Sequence, residues 1–283
     1  MAETDLQAWV GRSEVLTDTV TAFPARALAA TLNQADAADL TDGATLPAIW
    51  SWLYFLPLAP MSNVGADGHP RRGGFLPPVE LPRRMWAGSR CSELSSIRIG
   101  ERIERTSTIT SVAEKTGGAG SMVFVTVAHE VRADGRLVLR EEQDIVYVGI
   151  PERFSPPPAT ALPACDWSEP VAVDPVLLFR FSALTFNGHR IHYDRTYATE
   201  VERYPALVVH GPLQAILLFD AACRRAPASA PASAFTFRGM RPLFDTDQVT
   251  LNGRSGENGG IDLFTANGEG AVGMKASLLW GGS

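Results

Sequence analysis

His189, His192 and Asp194 fall close together in the stretch LFRFSALTFNGHRIHYDRTYA, which runs from Leu178 to Ala198. An imidazole titrates near pH ~6.5, so it can take or give a proton at neutral pH. That makes His192 the leading acid/base candidate. Downstream, VVHGPL sets Gly211 and Pro212 at the entry to an apolar helical run. Proline suits the first turn of a helix, and the N–H groups there carry partial positive charge worth about 0.3–2 kcal/mol to an anion. Glycine lets a ligand come close to the backbone, so the Gly211 N–H is a candidate donor to an oxyanion. Together these residues suit proton transfer beside a carbonyl that gathers negative charge. Taken alone they leave plainer readings open. His192 could be satisfied by a backbone partner at a helix start, Gly211-Pro212 could be only a cap, and His210 could shape a pocket or simply pack.

Other chemistries are poorly served. His189 to Asp194 spells H-x4-D, a spacing found in glycerolipid acyltransferases, but the companion motifs are missing. No G-x-S-x-G elbow is present. Gly117-Gly118-Ala119-Gly120 has no P-loop lysine and reads as a turn. His189, His192 and His210 lack an evident fourth ligand, so no metal is expected. Cys91, Cys165 and Cys223 are too far apart for a zinc site or a disulfide framework and read as reduced thiols.

The elements that must position these residues follow from pattern. The first half has an apolar helical candidate at Pro47–Phe55. A long loop at Leu56–Gly88 follows, then strand-like runs at Glu93–Ile99, Ile103–Val112, Met122–Val131 and Leu137–Val148. The second half repeats the order, with a helical candidate at Leu213–Ala222 and strands near Phe235–Arg241, Gln248–Arg254, Gly260–Ala266 and Ala271–Trp280. Gly117-Gly118, Asp134-Gly135, Asn252-Gly253, Asn258-Gly259 and Asn267-Gly268 read as turns. A helix that is apolar all round must be buried, and a single antiparallel sheet must cover its apolar face. The expected fold is therefore α+β, a double hot-dog of two curved antiparallel sheets, each wrapped around a buried helix. The expected domains are 1–149 and 171–283, joined by a proline-rich linker at 150–170.

Apolar residues make up 45% of the chain and charged residues 20%, as in ordinary globular proteins. The net charge is -6, without a basic block, so nucleic acid is not an expected partner. The apolar runs are too short or too interrupted to span a bilayer, and the N-terminus is acidic and polar, so a soluble cytoplasmic protein is expected.

Ala183-Leu184-Thr185-Phe186-Asn187-Gly188-His189-Arg190-Ile191-His192, followed by Asp194, resembles the hydratase signature of MaoC-like proteins. FNGHRIH, VVHGPL and LPRRMWAG (Leu81–Gly88), with the loop pieces Asp67–Pro70 and Arg72–Pro78, resemble one branch of that superfamily. This is the fungal-fatty-acid-synthase-like branch, which includes mesaconyl-C4-CoA and itaconyl-CoA hydratases and type-two hydroxyacyl-thioester dehydratases. The resemblance covers most of the chain. It implies a hydro-lyase that adds or removes water across the 2,3 bond of an acyl-CoA thioester, with the thioester as substrate and no other cofactor. It puts His192 at the family's catalytic histidine. Where the common pattern has an aspartate, this chain has Asn187, an amide that can hold water but cannot ionise. The second proton could then come from Asp194, His189, Glu141 or Glu142, which sequence does not separate. Arg83, Arg84 and Arg190 are candidates for the CoA phosphates or an acyl carboxylate, and Trp86, His189 and His210 for other substrate contacts. The family's first helix is often remodelled around an acyl tunnel. A homodimer is expected. A hot-dog thioesterase and a non-catalytic acyl-CoA binding module are the rival readings.

Overall fold

The computed structural model describes residues 5–35, 37–117, 120–226 and 231–281. They form two units, each built on antiparallel strands.

The first unit comprises residues up to Ala87, Leu94–Ile150 and Ala183–Gly188. It opens with β1 (Ser13–Thr19) and α1 (Ala22–Thr31). The short strand β2 (Thr45–Leu46) follows, then a 3₁₀ helix over Ala48–Leu53 and β3 (Arg83–Glu93), whose first residues belong here. β2 pairs with β4 (Ile97–Arg98), and β1 pairs with β5 (Arg102–Gly117). β5 continues through β6 (Gly120–Ala133) to β7 (Arg136–Val148), all antiparallel. β6 shows why. Val123, Val125, Val127, His129, Val131 and Ala133 are buried, alternating with less buried residues, the period-two pattern of a strand with one covered face. The apolar part of that face packs with Val79, Ile109, Val112 and Tyr147. The β6–β7 turn is Asp134-Gly135, both with positive φ, the geometry of a two-residue type I′ hairpin.

A polar row crosses the same buried face. Ser107 on β5, His129 on β6 and Glu141 on β7 are register partners. His129 Nδ1 lies 2.9 Å from Ser107 Oγ, and Glu141 accepts from Trp52 Nε1 and Gln143 Nε2, each at 3.1 Å. Burial, and then the Arg105 charge, hold the His129 imidazole down at about 3, so it stays neutral.

The second unit comprises Gly88–Glu93, Pro151–Ser182 and residues from His189 onward. Its strand order is the second part of β3, then β9 (Ala232–Gly239), β12 (Val272–Trp280), β11 (Ile261–Ala266), β10 (Val249–Ser255) and β8 (Trp167–Val171). α2 (Pro175–Leu184) and α3 (Gly211–Cys223) are its helices, α2 ending at the boundary with the first unit. α3 buries residues on every side, from Leu213, Ala215 and Ile216 to Leu218, Phe219 and Ala222, and packs against β9 to β12. Its one polar side chain near the start, Gln214, is satisfied by Val209 O at 3.3 Å and Thr265 Oγ1 at 2.8 Å.

The structure corrects several expectations. The Pro47–Phe55 candidate is a six-residue 3₁₀ helix, not an α-helix. Pro47 precedes it, and the chain turns extended at Tyr54 (φ -118°, ψ 172°), just before the positive φ of Phe55. Arg83–Gly88 is strand rather than loop, since no proline after Pro82 removes a ladder donor. The proline-rich stretch 150–170 ends inside β8, an edge strand that tolerates Pro170. The strand expected at Glu93–Ile99 is broken, with β3 ending at Glu93 and only Ile97–Arg98 pairing again. β1 and α1 carried no clear signal, because β1 has no continuous apolar face and α1 is largely alanine. Part of the Gly117-Gly118 turn lies outside the described residues.

Asn252-Gly253 is not a turn but the middle of β10. Asn252 is fully buried, its amide donating to Thr250 O and Phe264 O, both at 3.2 Å. A Cβ on Gly253 would lie 2.3 Å from the Trp167 ring, so glycine is there for close approach. Gly253→Ala is therefore expected to lower unfolding stability by about 1–3 kcal/mol. Adding Trp167→Ala should recover part of that loss in a double-mutant cycle by denaturant titration. Stability should also fall as pH drops below about 6.5. The unfolded chain then binds a proton that folded His129 refuses until about pH 3, a slope of up to about 1.4 kcal/mol per pH unit. Denaturation midpoints between pH 7.5 and pH 4 should show a shallower slope in His129→Asn than in the wild type.

Candidate active site

Three imidazoles meet in the second unit. His192 closes a 3₁₀ turn at Arg190–His192. The Val208 N–H donates to Ile191 O at 3.0 Å, and His192 Nδ1 lies 2.7 Å from Val208 O. A carbonyl only accepts, so Nδ1 carries the proton and the neutral ring keeps its lone pair on Nε2. His192 is 7% exposed and so counts among the buried polar residues without being fully enclosed.

The His210 ring stacks on His192 with centroids 3.6 Å apart and planes within 18°. His210 is the residue from which α3 starts, with Pro212 in the first turn. Its Nε2 is 2.8 Å from Ser182 Oγ, and its ring meets that of Phe181 edge-to-face with centroids 5.0 Å apart. It has no exposed surface, and burial, with a smaller push from His189, lowers it to about 3. It is thus a neutral plate under His192.

His189 stands edge-on to His192, with centroids 5.5 Å apart and planes at 87°. Its Nε2 is 2.9 Å from Glu202 Oε1, and both side chains are buried. Glu202 follows the π-helical turn Tyr197–Val201. A stacked ring and an edge-on ring, each tied to a different partner, do not converge their nitrogens on one point. Among the described residues no cluster fit to hold a metal ion is found.

The other residues singled out by sequence fall as follows. Gly211 is the first residue of α3. Arg190 pairs with Asp194, Nη2 to Oδ2 at 2.7 Å, and covers the Tyr197 ring at 4.3 Å. Asp194 also accepts from Tyr197 N at 3.0 Å, and that bond together with Arg190 holds its carboxyl below the usual range. In the first unit, Asn187 follows Phe186, whose φ is +50°. Gly188 lies so close to Gly68 O that a Cβ would be 2.4 Å from it. Arg83 is buried on β3, and the positive charge of Arg84 acts on the buried Tyr147 hydroxyl. Trp86 packs edge-to-face on Trp52 at 4.8 Å. Sequence reasoning missed Glu202, Ser182 and the Val208 carbonyl. The first two are isolated polar residues without a motif, and the third is backbone.

What the cluster can do is specific. It offers a basic imidazole nitrogen of fixed tautomer, a neutral stacking plate, a buried carboxylate–imidazole pair and the N-terminus of a long buried helix. That is the equipment for moving protons next to a forming oxyanion.

Residues 49–245 match the family described as Hydroxyacyl-thioester dehydratase type 2. The mesaconyl-C(4)-CoA hydratase of Chloroflexus aurantiacus is 45% identical over 286 residues, covering all of both chains. The mitochondrial hydroxyacyl-thioester dehydratase type 2 of Schizosaccharomyces pombe is 26% identical over 244 residues, 77% of this chain and 81% of its own. A solved MaoC-like dehydratase aligns with a TM-score of 0.69 at 14% identity, over 97% of this chain and 99% of the other, a likeness of hot-dog fold. The chain thus belongs to the hydroxyacyl-thioester dehydratase type 2 family of MaoC-like hydro-lyases, which hydrate and dehydrate acyl thioesters.

Proposed function

We propose that the chain hydrates a CoA enoyl thioester whose acyl group carries its own carboxylate, with mesaconyl-C4-CoA converted to citramalyl-CoA as the leading case. The observation that carries this reading is the 45% identity, over the full length of both chains, with a hydratase of that name.

Water needs a base as its oxygen attacks C3, and His192 Nε2 is that base, its tautomer set by the Val208 carbonyl. The π electrons shift towards the thioester carbonyl, whose oxygen becomes enolate-like. The Gly211 N–H and the positive end of α3 stabilise that charge, and the missing side chain at 211 gives the oxygen room. Asn187 orients the attacking water through its amide. Arg83, Arg84, Arg190 and Trp86 are assigned to the acyl carboxylate and the CoA moiety, and His189 and His210 to the acyl end. No cofactor beyond the CoA thioester is required. The same reading takes the protein as a cytoplasmic homodimer, two-fold pairs being the commonest assembly of soluble chains.

The test follows the enoyl-thioester absorbance with mesaconyl-C4-CoA and crotonyl-CoA in parallel, together with free thiol. The expected result is consumption of mesaconyl-C4-CoA, faster than crotonyl-CoA and without release of CoA. His192→Ala should lower kcat by about 10²–10⁴-fold. Release of free CoA would replace hydration by thioester hydrolysis. Tight binding of acyl-CoA without turnover would make the chain a binding module.

A further inference from the structure

We propose that the buried His189–Glu202 pair holds the second proton of the reaction, so that His192 and this pair are the base and the acid of the site. The proposal rests on the hydration reading above.

Adding water to C2=C3 needs two proton positions, one to take a proton from water and one to give a proton to C2. His192 fills the first. Asn187 cannot fill the second, because an amide does not ionise in the working range. The two other rings against His192 belong to His210 and His189. His210 is fully buried, tied to Ser182 and kept neutral down to about pH 3, so it has no proton to spare. Asp194 is ionised and committed to Arg190 and to the Tyr197 N–H.

Among the groups of the second unit, that leaves His189 with Glu202. Glu202 is only 2% exposed and His189 4%. A carboxylate buried so deeply needs a close partner, and the His189 ring nitrogen 2.9 Å away is one with which it can share a proton. Carboxylic acid with imidazole and carboxylate with imidazolium are the two neutral forms of the pair. Both hold one proton more than carboxylate beside neutral imidazole, and that proton is the one delivered. The charged and titratable groups near the pair include His192 and His210, the bonded Arg190 and Asp194 next along the chain from His189, and Glu200 and Arg203 on either side of Glu202 in sequence.

The step balances. One water O–H proton passes to His192 Nε2 while the oxygen bonds to C3. The π pair moves onto C2, C1 and the thioester oxygen. A C2–H bond then forms with the proton of the His189–Glu202 pair as the C1–C2 pair returns. His192 ends one proton richer and the pair one poorer, and transfer between them, directly or through water, resets the site. Dehydration is the same sequence reversed.

The test uses the same assay with His189→Gln, Glu202→Gln, Glu202→Asp and the double substitution His189→Gln/Glu202→Gln. The double variant removes the buried charge together with its partner, which guards against misfolding of either single variant. Melting curves and circular dichroism report folding. The expected outcome is a fall in kcat of about 10²–10⁴-fold with KM held. The wild-type kcat/KM profile should have two pH limbs, one of them lost in the Gln variants and restored in Glu202→Asp. Folded Gln variants that keep wild-type kcat, or lose activity while keeping both limbs, would overturn the assignment. A wild type inert towards the enoyl thioester would instead overturn the hydration reading itself.

Discussion

The hydrogen bond of 2.7 Å between His192 Nδ1 and Val208 O decides which nitrogen of this imidazole is basic. The rest of the second unit is arranged to keep that bond. The Val208 N–H returns to Ile191 O, so the strand-like approach to α3 and the turn carrying His192 are tied in both directions. Val209 N donates to Leu243 O at 2.8 Å, which anchors the same approach a residue later. His210 then places its ring under His192, and at Gly211 the chain turns into α3. The candidate base and the candidate oxyanion donor are thus set by one short stretch of backbone, residues 208–211, held between a turn and a buried helix. A shift there would move both together, which preserves their relative geometry.

The cost of this arrangement is a group of polar side chains inside an apolar unit. Buried polar groups are tolerated only when bonded, and buried charge only when paired. The imidazoles meet that demand differently, and His210 only at one nitrogen, its Nδ1 being buried without a partner among the described residues. His192 uses a carbonyl, His210 a serine hydroxyl and complete neutrality, and His189 a carboxylate. The division has a chemical consequence, because only rings that can change protonation are useful for proton transfer. A stack of two imidazoles 3.6 Å apart would repel itself if both were charged. Full burial of His210, which keeps that ring neutral, removes that possibility. The first unit handles its buried row differently. Glu141 is tied to Trp52 and Gln143, and His129 is neutral beside Ser107, so that row works as structure.

What could be read in the sequence follows from how local each signal is. α3 was legible because Gly-Pro followed by an apolar run broken only by Gln214 and Asp220 suits the start of a buried helix and little else, and β6 because VFVTVAHEV sets a valine at nearly every second position. Asp134-Gly135 was legible because its backbone geometry is a property of the dipeptide. Asn252-Gly253 has the same appearance and a different cause. Its glycine answers to Trp167, a residue far away in sequence, so no local reading could separate the two. The functional residues divide in the same way. His189, His192 and Gly211 stood in compact motifs. Glu202 and Ser182 did not, since each matters only through a histidine that folding brings to it.

The placement of Glu202 bears on why an asparagine can stand at position 187. A site that needs one ionisable carboxylate does not need it at a fixed point in the chain. It needs the carboxylate's proton to reach the substrate through a group of matched basicity, and an imidazole is such a group. Moving the carboxylate behind a histidine has a further effect. A carboxylate in direct contact with an enoyl thioester opposes the growing negative charge on C1–C2. A neutral carboxylate–imidazole pair presents no such opposition before the proton leaves, and by then the charge on the enolate has been discharged at C2. An acyl group that carries its own carboxylate sharpens the point, because every additional bare anion near it raises the energy of the bound substrate. On the anionic acyl group proposed above, an amide at 187 adds no negative charge where the common pattern carries an aspartate.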